Sequence, residues 1–92
     1  MDKNGKTWFV YIIHCTDDSL YTGITTDVNR RYKQHSLKQG AKYFFGRKPK
    51  ELVYQETGHD RSSATKREIM IKKLPRADKL LLIASGENNL YN

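Results

Sequence analysis

The sequence predicts an α+β fold, a three-stranded antiparallel sheet flanked by helices in the order β-β-α-β-α-α. Three observations carry that prediction. Two runs rich in β-branched and aromatic residues, Thr7–Cys15 and Leu20–Ile24, flank a turn, Thr16-Asp17-Asp18-Ser19, and so read as a hairpin. A third such run, ELVYQE at Glu51–Glu56, follows later. The segments after the second and third strands have helical periodicity, with capping residues at their starts.

In chain order, residues 1–6 are polar and expected to fray. TWFVYIIHC is too continuously apolar to have one face in water, so it is assigned the central strand. Thr25, Thr26 and Asp27 are N-cap residues ahead of a helix over Val28–Gln39, which stops at Gly40. Its inward stripe is Val28, Arg31, Tyr32 and His35. Ala41–Lys50 is a loop, and Thr57–Asp60 a turn after the third strand. Ser62 or Ser63 caps a second helix running to Leu74, with Ala64, Arg67, Glu68, Ile71 and Leu74 inward. Pro75 suits the N1 position of a third helix, ADKLLLIAS, ending near Gly86.

Ninety-two residues are expected to form one domain, 1–92, with its core at about 7–85. Such a domain buries roughly 60–65% of its unfolded surface. Six Tyr, three Phe and one Trp help fill that core although only 37% of the chain is apolar. No apolar run could span a bilayer, and MDKNGK has no signal-peptide h-region. One cysteine makes no internal disulfide, so a reduced, cytoplasmic protein is expected. Seventeen Lys and Arg against ten Asp and Glu leave +7. A surplus of that size points to a polyanionic partner, nucleic acid, and no basic amphipathic helix speaks for a membrane surface.

The chemistry concentrates where polar groups stand on apolar faces. Arg31 on an inward stripe needs an acceptor. Asp27 or Glu68 could supply it structurally, or the guanidinium could fork onto a phosphate. His35, one turn on, could address the same phosphate, or be an ordinary surface histidine. Tyr11 and Tyr21 lie almost equally far either side of the turn, which places them on neighbouring strands near the end away from it. They could be core tyrosines. A free phenol is only about 0.1% ionised near pH 7, so action as a general base requires the nearby cations that Arg31 and His35 could provide. Gly23 could relax a bend or admit a close substrate backbone. Glu68 could pair with Arg31 or Arg67, or hold a divalent ion, since Mg²⁺ is often bound through one carboxylate, waters and phosphate. His14 and Cys15 are adjacent on a strand and face opposite ways, which argues against a Cys–His nucleophile. Zinc-ligand spacing and phosphate-binding glycine loops are absent from the sequence.

From about Thr7 to Leu82 the chain resembles the GIY-YIG endonuclease family, and most closely its small stand-alone bacterial members. Phe9-Val10-Tyr11 and Tyr21-Thr22-Gly23 match the two signature triplets, with Phe9 for the first glycine and Thr22 for the middle isoleucine. ITTDVNRRYKQH resembles the catalytic helix, and the Glu of KREIMIKKL falls on Glu68. The resemblance implies a divalent-metal-dependent endonuclease acting on DNA, in repair or processing, with Tyr11, Tyr21, Arg31, His35 and Glu68 catalytic. Tyr11 would activate water, Tyr21 position it or the phosphate, and Arg31 bind the scissile phosphate. His35 would support Tyr11 or donate to phosphate, and Glu68 would hold Mg²⁺ or Mn²⁺. Gly23, Arg30, Lys42, Tyr43, Arg47, Lys48 and Lys50 are the expected nucleic-acid contacts, with Phe44 or Phe45 also able to stack on unpaired bases. The rival readings are a module that binds nucleic acid without cutting, or cuts only when a protein partner recruits it, and an interaction protein with a vestigial site.

Overall fold

Strand β1, Trp8–Cys15, lies at the centre of a three-stranded antiparallel sheet of order β2-β1-β3. The computed structural model describes residues 6–36 and 49–85. The remaining elements are β2 Leu20–Thr25, α1 Val28–Ser36, β3 Pro49–His59, α2 Arg61–Lys72 and α3 Arg76–Ala84. The predicted fold class, element order and central strand are therefore observed. Successive side chains of β1 alternate between two apolar clusters, as a strand buried on both faces requires. Val10 and Ile12 pack with Tyr54, Ala64 and Ile71, and Leu82 and Ile83 of α3 join that side. Tyr11, Ile13 and Cys15 pack with Tyr21, Tyr32 and Leu52, so Tyr32 of α1 closes the other.

The hairpin turn is built from its acidic residues. Asp18 adopts φ 69°, a left-handed conformation that aspartate tolerates better than most residues. The Asp17 carboxylate accepts from the Ser19 amide at 3.1 Å. This geometry pairs Tyr11 with Gly23 and Ile13 with Tyr21, which sends Tyr11, Tyr21 and Gly23 to one face. The expectation that both tyrosines lie far from the turn is corrected for Tyr21, which is one pair from its turn-side end.

Strand β3 extends beyond the predicted Glu51–Glu56 at both ends, and Thr57-Gly58-His59 is strand rather than turn. Its eleven residues pair with the eight of β1 through three register shifts, each placing an extra residue on β3. Gly58, at φ 86°, sits in one of them. The cap of α2 is Asp60 rather than Ser62 or Ser63. Its carboxylate accepts from the Ser63 amide at 2.7 Å, and Ser63 Oγ accepts from the Asp60 amide. Pro75 occupies the N-cap of α3 rather than N1. The helix expected over Val28–Gln39 is observed to Ser36, and the rest of that prediction lies outside the described residues. Thr22 is buried, and its Oγ1 has no hydrogen-bond partner among the described residues.

Candidate active site

Tyr11 and Tyr21 face each other across the hairpin with ring centroids 6.2 Å apart. Tyr11 is 1% exposed. Its phenol lies over Gly23: a methyl group there would stand 2.6 Å from Tyr11 Oη and 2.7 Å from Cζ. The space above Gly23 is thus filled by Tyr11, which corrects the expectation that it admits a substrate backbone. Glycine is required because the ring crosses its Cα, not because the chain bends.

Helix α1 brings in Arg31. The Asp27 carboxylate caps the helix by accepting from the Arg30 amide at 3.0 Å. One turn in, Val28 is buried, and Arg31 and Tyr32 lie partly buried on the same face. The Arg31 guanidinium donates to the Tyr11 phenol and, at 3.0 Å, to Gln34 Oε1. Among the described residues it has no carboxylate partner, so neither Asp27 nor Glu68 neutralises it. His35 lies one turn beyond in the same helix, and its side chain is outside the described residues.

Glu68 comes from α2. Its carboxylate, 20% exposed, pairs with Lys72 Nζ at 3.1 Å rather than with Arg31 or Arg67. Its charge is felt at Tyr11, which ties the two strands and two helices into one electrostatic unit. Burial, and then the neighbouring Tyr21, push the Tyr11 phenol well above the ordinary tyrosine value, outweighing the bond and charge of Arg31 and aided by Glu68. Arg31 eases the ionisation of Tyr11 in the expected direction, but burial outweighs it, and the side chain of His35 lies outside the described residues. Tyr11 is a neutral hydrogen-bonding group near pH 7.

Among the described residues, no three His, Cys, Asp or Glu side chains gather to hold a metal unaided. One partly exposed carboxylate, neutralised only by a flexible lysine, nevertheless suits a hard divalent cation that keeps most of its waters and shares a phosphate. The donor set around Glu68 fits Mg²⁺ or Mn²⁺ in that mode.

Beside Arg31 an open cleft of about 310 Å³ runs from Trp8 and Ile24 past Thr25 and Thr26 to Arg30 and Arg31. Tyr11, Tyr21 and Glu68 do not line it. Lys50 is exposed at the opposite, turn end of the sheet, where its charge reaches Asp18, so it is not brought together with Arg30. Lys42, Tyr43, Phe44, Phe45, Arg47 and Lys48 lie outside the described residues.

The sequence reading missed one set of groups. Glu56 accepts from Tyr54 Oη at 2.5 Å and from Arg67 Nε at 2.9 Å, and its carboxylate lies 2.8 Å from His59 Nε2. Burial disfavours the Glu56 carboxylate, but the bonds from Tyr54, His59 and Arg67 outweigh it and hold its pKa below the ordinary value. The cluster clamps α2 to β3 one residue before Glu68. The inward position of Arg67 was the available signal, and its partner depended on a strand pairing that sequence does not reveal.

The family model for the GIY-YIG catalytic domain matches residues 7–80. A UPF0213 protein of Desulfotalea psychrophila is 51% identical over 87 residues, covering 94% of this chain and 79% of that one. A UPF0213 protein of Staphylococcus epidermidis is 51% identical over 86 residues, 94% of this chain and all of the relative. The solution structure of a UPF0213 protein from Bacillus halodurans is similar with a TM-score of 0.57 at 41% identity, covering 88% of this chain and 86% of that one. A second solution structure, of an E. faecalis protein, gives 0.59 at 34% identity and 95% of each chain.

Proposed function

The chain belongs to the GIY-YIG catalytic domain family, a family of nucleases, and from that membership we propose that it is a divalent-metal-dependent endonuclease hydrolysing phosphodiester bonds in DNA. The observation that supports this most is Arg31: a partly buried guanidinium without a carboxylate partner among the described residues, bonded to Tyr11 and facing an open cleft. A phosphate is the acceptor such a group lacks.

In this reading Arg31 binds the scissile phosphate and stabilises the charge that builds on it. Tyr11, held neutral by burial, orients the attacking water through its hydroxyl, and the proton that the water sheds on attack passes to solvent. Its bond from Arg31 keeps that hydroxyl beside the phosphate. Tyr21 packs against Tyr11 and positions water or phosphate, and His35 supports Tyr11 or donates to phosphate. Glu68 would hold one Mg²⁺ or Mn²⁺, in place of its ion pair with Lys72. A metal bound there supplies positive charge to the phosphoryl oxygens. The Glu56–Arg67 clamp fixes the rotation of α2 and with it the aim of Glu68.

The test is cleavage of labelled single-stranded, duplex and branched DNA and of RNA, with Mg²⁺, Mn²⁺ or chelator. Arg31→Ala and Glu68→Gln should each lower the rate at least about 10²- to 10³-fold, while their circular dichroism and melting stay those of the wild type. Cleavage persisting in both purified variants refutes the assignment. Salt-sensitive binding with no cutting by the wild type favours a binding module or an enzyme that needs a partner.

A further inference from the structure

The cleft beside Arg31 has a composition that the hydrolytic reaction does not itself require. Trp8 opens β1 and is only partly buried. The Arg61 guanidinium lies 5.8 Å from the centroid of its ring. The cleft wall then runs to Arg30, which is exposed and carries no ion pair among the described residues, and to Arg31. Asp27 is the only carboxylate that lines it, and that group is engaged in capping α1. A volume of about 310 Å³ sits at the lower end of the roughly 300–1,000 Å³ typical of small-molecule sites. It has room for one planar group.

We propose that this cleft is a nucleobase subsite, in which an unpaired base stacks on Trp8 while the adjoining phosphate lies on Arg30 and Arg31. The inference rests on the nuclease reading and deepens it by naming the substrate class: single-stranded DNA, or a frayed or displaced nucleotide at the end of a duplex. An indole ring offers a π-face to any base, so the subsite selects unpaired nucleotides over paired ones without reading sequence. A base already outside a helix enters freely, whereas a paired base must first be unstacked.

Trp8 is the only tryptophan in the chain, so no other indole contributes to the emission followed. The full chain is titrated, with chelator present to prevent cutting, with three fluorescein-labelled probes: an oligothymidylate, a hairpin duplex of equal phosphate count, and an oligomer of base-free deoxyribose phosphate. Tryptophan emission and label anisotropy are followed together. Saturable quenching is expected with oligothymidylate alone. Trp8→Leu should weaken oligothymidylate binding roughly 5- to 150-fold, the range that one lost base stack implies, and leave duplex binding unchanged. Trp8→Phe should keep most of the affinity and serves as the folded control.

Salt-sensitive binding of oligothymidylate with unmoved Trp8 emission, and with Trp8→Leu at wild-type affinity, overturns the subsite and leaves the nuclease reading standing. Equal quenching by the base-free oligomer also overturns it. Failure of every probe to bind overturns the nuclease reading and the subsite together.

Discussion

Substituting Gly23 by alanine tests the arrangement of the tyrosines directly. The added methyl would stand 2.6 Å from Tyr11 Oη and 2.7 Å from Cζ, so the phenol must retreat by about 0.8 Å to reach ordinary contact at 3.4 Å. It has little room to do so, because Tyr11 is 1% exposed and packed with Ile13, Cys15, Tyr32 and Leu52. Overpacking of this kind costs about 1–3 kcal/mol. At roughly 4–8 °C per kcal/mol for a domain of this size, melting should fall by about 4–24 °C. Gly23 does not have positive φ, so the loss is steric and depends on Tyr11. Tyr11→Phe should relieve it only in part, since Cζ remains. In a Tyr11→Leu background most of the penalty should vanish, leaving only the tight contact of the methyl with Tyr21 Cε2 at 3.1 Å. Urea unfolding of the four proteins in that cycle measures the coupling. A Gly23→Ala protein within about 0.5 kcal/mol of wild type, or an equal loss with and without Tyr11, refutes the packing explanation.

Thr22→Val should leave stability unchanged or raise it by up to about 1 kcal/mol in urea unfolding, because it removes a buried hydroxyl that has no partner among the described residues. Glu56→Leu should cost about 1–3 kcal/mol by stranding the partly buried Arg67, whereas Glu56→Leu combined with Arg67→Met should recover most of that loss. Burial, reinforced by the bond to Glu56, pushes Tyr54 up to about 12. A phenol whose folded pKa is raised stabilises fully below the unfolded value of about 10, and loses that contribution as pH climbs to about 12. Wild-type stability should therefore fall across that window by of order 2 kcal/mol more than Tyr54→Phe does, as read from denaturation at each pH.

The features legible in the sequence are those written in local periodicity. The hairpin follows from two β-rich runs around Asp17-Asp18, and the inward place of Arg31 follows from helical spacing after Asp27. The reach of β3 was not legible, because a bulge adds a residue, breaks the alternation and leaves a strand resembling a turn at Thr57-Gly58. Gly23 stands out in the sequence for its missing side chain, but the reason for it lies in a ring twelve positions earlier that only the strand register brings overhead. The ionisation of Tyr11 likewise depended on how completely it is buried, a balance among Tyr21, Tyr32, Arg31 and Glu68 that no one element contains.

The uneven pairing of β3 has a bearing on how the chain behaves in company. An outer strand of eleven residues would ordinarily be a template on which another chain could lay down a strand of its own. Three bulges divide this one, and no run of regular partners with β1 exceeds three residues. Each bulge bends the strand and turns its free amides and carbonyls out of line, so an approaching strand finds no continuous ladder to extend. Lys50 and Glu51 add charge at the start of the same edge. The irregularity that hid this strand from pattern reading thus also guards it against edge-to-edge aggregation.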